Sequence, residues 1–177
     1  MSRPTNLVLL RPSLDHLPPR PRLPDGYKLR PAVDSDTDAL AATLTAAFAE
    51  TWSVDRVRRD LLDAEDVVAT FVITHGGRAV ATASNRWVPD RFPDAGYVHW
   101  VGTAPEHTRR GLAAALLIEL LRQFAEQGRL TAVLETDDFR HPALRSYLRL
   151  GFTPVYAVRD EDHRRRWSAI FTALFHR

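Results

Sequence analysis

Hydrophobic residues recur along this chain in two alternating kinds of spacing. Short apolar runs typical of strands occupy 27–33, 67–74, 78–87, 96–103, 130–136 and 152–158. Apolar side chains three or four residues apart predict helices over 36–48, 53–63, 108–127, 141–150 and 163–177. The resulting order, β-α-α-β-β-β-α-β-α-β-α, indicates an α/β domain with a mixed sheet.

Proline and capping residues mark the ends of these elements. Much of the proline lies in the first 26 residues, where RPSLDHLPPRPRLPDG predicts an extended arm to which residues 7–10 could add a short strand. Asp34 or Ser35 is the predicted N-cap of the first helix and Ser53 that of the second. We therefore divide the chain into an arm (1–26), a central domain (27–157) and an amphipathic C-terminal helix (158–177) packed on that domain.

Composition narrows the class of protein. Hydrophobic residues make up 45% and charged residues 26%, as in soluble globular proteins. The four-residue apolar patch at 7–10 is too short for a signal peptide, and no run is long enough for a bilayer span, so we expect a cytoplasmic protein with no membrane partner. The net charge of +2 is spread along the chain, which argues against a nucleic-acid partner. The absence of cysteine excludes thiolate metal ligands and a cysteine nucleophile.

Candidate chemistry begins at TRRGLA (108–113), which follows the strand 96–103 and opens the longest predicted helix. A helix N-terminus offers unpaired N–H groups and a partial positive charge, and a glycine there lets backbone approach an anion. An amphipathic helix with a basic first turn is the alternative. Arginine in a first turn is unfavourable for the helix dipole, and a bound phosphate would explain it.

Two motifs in order carry a resemblance to a known family. VGTAPEHTRRGLA (101–113) and PALRSYLRLGF (142–152), with the helix and strand between them, resemble the GCN5-related N-acetyltransferase (GNAT) superfamily over about 27–157. Thr108 departs from the family's Gln or Arg, and His141 stands near a position where many members have Asn. The resemblance implies a mixed, mostly antiparallel sheet whose central parallel strands splay apart, flanked by helices.

The resemblance also implies a coenzyme site. Acetyl-CoA would lie between the strands 97–103 and 130–136 as a co-substrate, with no metal. Its pantetheine arm would pair with backbone near Val101, Gly102 and Thr103, and near His141. Its pyrophosphate would rest on the backbone amides of Arg109, Arg110, Gly111, Leu112, Ala113 and Ala114.

The catalytic and acceptor residues are less constrained by the sequence. Tyr147 matches the family tyrosine that donates a proton to the coenzyme sulfur; a tyrosine that only packs is the alternative. Strand alternation places Tyr97, His99 and Val101 on one face, where His99 is a candidate base, or else a core histidine. The acceptor pocket would use Glu50, Trp52 and Asp137, although Trp52 would suit an ordinary core as well. The two acids are further candidates for the base, or else solvated or structural carboxylates.

These features lead to three hypotheses of different classes. The first is an acetyl-CoA-dependent N-acetyltransferase that acts by direct transfer on a primary amine. We favour a small-molecule acceptor; a protein amino group is the alternative, and a homodimer is open. The second is an acyl-CoA-binding sensor or interaction module with little or no transferase activity. The third, a nucleic-acid or membrane-surface binder, predicts affinity that falls steeply with salt.

Overall fold

The computed structural model describes residues 6–156 and 161–175, which form one mixed sheet with helices on both faces. Its seven strands lie in the order β2-β3-β4-β5-β6-β1-β7, and all neighbours are antiparallel except β5 and β6. The predicted mixed, mostly antiparallel fold is confirmed. The strands are β1 Leu7–Arg11, β2 Tyr27–Pro31, β3 Val67–His75, β4 Arg78–Arg86, β5 Ala95–Thr103, β6 Thr131–Thr136 and β7 Thr153–Pro154.

Five helices cover the sheet: α1 Thr37–Phe48, α2 Val54–Val57 (continued by a π-turn, Arg58–Leu62), α3 Leu112–Glu126, α4 His141–Arg149 and α5 Glu161–Phe175. Apolar residues of α3, α4 and α5 share the main core with one sheet face, while α1 and α2 cover the other. The Ser53 cap is confirmed, because its hydroxyl accepts the Arg56 N–H at 3.1 Å. Among the described residues, no helix is long and apolar enough to cross a membrane.

The N-terminal arm contributes the second strand from one edge of the sheet. β1 lies between β6 and β7, antiparallel to both, and Leu7 and Leu9 are fully buried in the main core. This confirms the strand predicted at 7–10. The predicted strand over 152–158 is shorter: β7 has two residues, Val155 adds a bond to the Val8 carbonyl, and residues 157–158 lie outside the described residues.

Two predicted details of the helices are wrong. The helix predicted from Thr108 begins at Leu112, because Arg109 (φ 59°) and Gly111 (φ 76°) adopt left-handed backbone that interrupts it. Both loop arginines therefore precede the helix. Neither Asp34 nor Ser35 caps α1, since a 3₁₀ turn intervenes; Asp36 instead accepts the Val33 N–H at 2.9 Å and pairs with Arg30.

A bulge in β5 reverses the alternation that the sequence predicts. The register with β4 shifts beyond His99, and Trp100 has a φ of 47°. Consequently Trp100 packs edge-to-face against Phe48 and Trp52 on the α1 side, while Val101 packs on the main core. The prediction that Val101 shares the face of His99 is therefore wrong.

The parallel pair β5 and β6 separates partway along its length. Their register runs from Ala95–Thr131 to Val98–Leu134 and then stops. α3 packs directly against the start of β5 at Gly96, where a Cβ would lie 2.1 Å from the Phe124 ring. Only glycine fits there, so this contact fixes α3 against the strand that leads into it.

Candidate functional site

The separation of β5 and β6 opens a cleft of about 520 Å³. Its lining comes from three strands (β4, β5 and β6), two helices (α1 and α4) and the adjoining loops. Asn6, at the start of β1, brings the arm to its edge. The lining residues are Asn6, Phe48, Glu50, Arg86, Arg91, Tyr97, Val98, His99, Trp100, Val101, Leu134, Glu135, Thr136, Asp137, Phe139, Arg140, Ala143 and Tyr147.

The loop 108–111 presents backbone to solvent at the start of α3. The first helical bond there is donated by the Ala115 N–H to the Gly111 carbonyl at 3.0 Å, so the amides of Leu112, Ala113 and Ala114 precede the helix ladder. Nothing lies within 4 Å of a Cβ built on Gly111. The space and the amide donors fit a phosphate group.

The predicted pantetheine residues lie on β5 beyond the point of separation. Gly102 and Thr103 pair with β4 on one side, while the β6 side has no strand register past Val98 in the described part of the chain. That edge therefore has backbone groups available for an extended ligand. His141 opens α4 but does not line the cleft; Ala143 and Tyr147 of the same helix do.

Tyr147 is buried and lines the cleft from α4. Burial raises the pKa of its phenol to about 12, against a smaller opposing effect of the Arg140 charge. Desolvation disfavours the phenolate, so the phenol keeps its proton at neutral pH. This state suits a proton donor.

His99 lines the cleft but is poorly suited to the predicted role of base. Burial first, and the Arg86 charge second, lower the pKa of its imidazole to about 3. Arg86 Nη1 lies 3.2 Å from His99 Nε2 and 3.4 Å from Nδ1. The ring is therefore neutral at pH 7 and binds a proton weakly, contrary to the prediction of a relay at neutral pH.

The three predicted acceptor residues are not equivalent. Glu50 lines the cleft, and its Oε1 accepts bonds from Trp52 Nε1 at 3.1 Å and Arg56 Nη2 at 3.0 Å. Asp137 also lines it and pairs with Arg140 Nε at 3.0 Å. Trp52 is a core residue that lies behind Trp100, with ring centroids 4.6 Å apart, so its prediction as a pocket residue is wrong.

Sequence reasoning missed Glu135, which shares one wall of the cleft with Tyr97. Its Oε2 accepts the Tyr97 hydroxyl at 2.8 Å and its Oε1 accepts Arg91 Nη2 at 2.6 Å. Burial and the bond to Glu135 raise the pKa of Tyr97, so that hydroxyl is a donor. Alternation in LTAVLET could have placed Glu135 on the same face as Val133, but nothing in the sequence paired it with Tyr97.

The rest of the wall is rich in arginine. Arg140 lies with its guanidinium 4.4 Å from the Phe48 ring centroid and 5.4 Å from that of Phe139. Arg86 is bonded to Asp66. Within residues 6–156 and 161–175, no group of three His or acidic residues is arranged to hold a metal ion.

Comparison with known proteins agrees with this geometry. The family model described as "Acetyltransferase (GNAT) family" matches residues 37–152. A mycothiol acetyltransferase from Pseudarthrobacter chlorophenolicus is 33% identical over 76% of this chain and 45% of the relative. One from Tsukamurella paurometabola is 32% identical over 83% and 55%. The chain thus spans about half the length of the curated relatives it matches.

Solved structures share the fold. A GCN5-related N-acetyltransferase from Kribbella flavida superposes with a TM-score of 0.59 at 25% identity, covering 85% of this chain and 54% of that one. The ribosomal-protein-S18-alanine N-acetyltransferase from Escherichia coli gives 0.62 at 24%, covering 73% and 79%. At 24% identity the second likeness concerns the fold alone.

Proposed function

This chain belongs to the GNAT acetyltransferase family, and from that premise we propose that it transfers an acetyl group from acetyl-CoA to a primary amine of a small molecule. The observation that carries the proposal is the position of the loop 108–111. It follows β5, which separates from β6 to open the cleft, and it offers free amides and open space beside Gly111. Tyr147 and Glu135 line the cleft that this separation opens.

The coenzyme, when bound, supplies the acetyl thioester. The chain's own residues would bind it through amides of Arg109 to Ala114 and along the unpaired edge of β5. Tyr147, which holds its proton at neutral pH, would donate that proton from its hydroxyl to the sulfur.

Glu135 is the residue we assign as base. An amine must lose a proton to attack, and a carboxylate with four lone-pair sites can accept it while retaining its bonds to Tyr97 and Arg91. These two donors hold the carboxylate at a fixed place on the wall. His99, being neutral and bonded to Arg86, is a weaker candidate.

The acceptor is proposed to be a small polar amine. The curated relatives are named for action on mycothiol, and the cleft wall is dominated by charged and polar side chains. An enclosed wall of this kind suits a hydrophilic molecule better than an apolar amine. We also propose a cytoplasmic location.

Titration calorimetry with acetyl-CoA, followed by a thiol-release assay over a panel of small amines, tests the proposal. We expect binding in the micromolar range and turnover of at least one polar amine, with a Glu135→Gln control that binds but turns over slowly. Binding without turnover on any amine would favour the sensor or interaction module. Absence of binding would overturn the coenzyme site itself.

A further inference from the structure

The β6–α4 loop, residues 137–140, forms part of the cleft wall. Asp137, Phe139 and Arg140 line the cleft, and Asp138 is the one residue of the loop that does not. Phe139 is 72% exposed, so the loop has little apolar anchorage of its own. Asp137 pairs with Arg140 inside the loop, which leaves the position of the loop in the fold to be set by other contacts.

Asp138 is bonded to α5 by a bidentate ion pair. Arg166 Nε lies 2.8 Å from Asp138 Oδ2, and Arg166 Nη2 lies 2.5 Å from Oδ1. Two parallel charge-assisted bonds fix the orientation of the carboxylate as well as its distance. The hydrogen bonds from Arg166, opposed by burial, hold the pKa of Asp138 below its usual range, so the pair is charged at neutral pH. Among the described residues, no other ion pair joins this loop to another element.

Arg166 is held in place because α5 is docked on α4. Trp167 and Leu174 of α5 are buried in the main core that also contains Tyr147 of α4. Arg145 of α4 donates from Nη2 to the Leu174 carbonyl at 3.2 Å. The Arg166 side chain is only 12% exposed, so packing leaves it few alternative rotamers. The family match ends at residue 152, so α5 lies beyond the part of the chain that the family model describes.

The β6–α4 loop meets α1 on its other side. The Arg140 guanidinium carbon lies 4.4 Å from the Phe48 ring centroid, and a Cβ built on Gly102 of β5 would lie 3.1 Å from the Phe48 ring. The loop therefore reaches across the gap between β6 and β5. Of its two contacts with other elements, the ion pair to Arg166 is the directional one, because its geometry is bidentate.

We propose that Arg166 is a positioning residue for the acceptor side of the cleft. By bonding Asp138 it fixes the β6–α4 loop, and with it Asp137 and Arg140, toward the acceptor amine. The effect on the acceptor rests on the proposed function. The structural half of the inference, that Arg166 holds the loop in place, does not.

Hydrogen exchange of the backbone amides tests the structural half without requiring turnover. The amides of the β6–α4 loop should exchange on the order of tenfold faster in Arg166→Met than in the wild type, because the bidentate pair is lost. Arg165→Met is the matched control and should leave the exchange unchanged, since Arg165 is exposed and pairs with Asp162 inside α5. Asp138→Asn removes the pair from the half-exposed side, so it decides the matter if Arg166→Met fails to fold.

Steady-state kinetics with ethanolamine, glycinamide and glucosamine test the effect on the acceptor. In Arg166→Met the KM for the amine should rise about tenfold, because a displaced loop no longer meets the substrate. The value of kcat should stay within about threefold and the acetyl-CoA affinity within about twofold, because Glu135 and Tyr147 lie outside the loop. Arg166→Lys, which keeps the charge but not the bidentate geometry, should give an intermediate KM. The double variant Arg166→Met/Asp138→Asn should be no worse than either single variant, since both remove the same pair.

Unchanged exchange of the loop in both Arg166→Met and Asp138→Asn would overturn the proposal, as would additive losses in the double variant. A lower free energy of unfolding with unchanged loop exchange and unchanged amine KM would make Arg166 a stabilising residue only. If the wild type turns over none of the amines, the result counts against the proposed function, while hydrogen exchange still decides whether Arg166 holds the loop. The two failures are thus distinguishable.

Discussion

The two sides that we propose for the coenzyme and for the acceptor are built in different ways. The coenzyme side uses backbone amides and edges from one continuous stretch, β5 and the loop 108–111 into α3. The acceptor side uses side chains that meet from β4, β5, β6, α1 and the loop holding Arg91. A site made of consecutive backbone depends on space and local conformation, whereas a site made of distant side chains depends on the whole fold.

Gly111→Glu, on the proposed coenzyme side, is the substitution for which we expect the largest effect. Its side chain would enter the space that the loop leaves open and would bring a negative charge to a phosphate site. We expect a loss of acetyl-CoA affinity of about 4 kcal/mol, roughly a thousandfold, by titration calorimetry. Gly128→Glu is the matched control, because Gly128 has a similar positive φ and open space at the other end of α3. Equal affinity in wild type and Gly111→Glu would refute a backbone phosphate site.

Glu135→Gln tests the acceptor side. The amide keeps the shape of the side chain but cannot accept the amine proton, so kcat should fall about 300-fold. Acetyl-CoA affinity should stay within about twofold, since the coenzyme side is separate. Asp137→Asn is the control, because its carboxylate also lines the cleft but is paired with Arg140. A larger loss in Asp137→Asn than in Glu135→Gln would transfer the role of base to Asp137.

The acid stability of the protein should report the burial of His99. Its pKa is about 3 in the folded protein and 6.5 ordinarily, so between those values the unfolded chain binds the proton more tightly. The contribution of His99 to the free energy of unfolding is therefore fully present above pH 6.5, and it is lost as the pH falls toward 3. From pH 6.5 to pH 4.5 we expect a loss of about 2 kcal/mol in the free energy of urea unfolding.

His99→Gln should remove most of that loss, because glutamine does not titrate. His75→Gln, at an exposed position, should retain the wild-type slope. A wild-type free energy of unfolding that stays flat over this interval would show that His99 is protonated in the folded protein. The acceptor wall would then carry one more positive charge.

Tyr147→Phe has the smallest expected effect. Phenylalanine fills the same space without the hydroxyl, so kcat should fall about tenfold while acetyl-CoA affinity stays unchanged by calorimetry. Tyr156→Phe serves as the control, because Tyr156 lies at an exposed position. Loss of coenzyme affinity equal to the loss of kcat would make Tyr147 a binding residue, with no part in proton transfer.

Local patterns were sufficient for most of the fold. The hairpin of β3 and β4 and the helix with Leu112, Leu116 and Phe124 follow from spacing alone, since each depends on neighbours in the chain. Helix ends were less accurate: Arg109 has an ordinary side chain, and only its loop places it at φ 59°. The structure leaves open space beside Gly111, where the sequence predicts that backbone can approach an anion.

The acceptor side was decided by tertiary structure. A single bulge at Trp100 turned Val101 to the opposite face of the sheet and placed the Trp100 side chain against α1. The alternation of residues along the strand does not predict this bulge. Glu135 became a candidate base only because Tyr97 and Arg91, 38 and 44 residues away, reach its two oxygens. His99 was visible in the sequence, but its neutral state comes from burial and from Arg86 on another strand. By itself the sequence determined the order of the elements and the backbone loop, because both depend on residues that are close in the chain. The protonation and pairing of the side chains depend on packing between residues that are distant in the chain, so only the tertiary structure decided them.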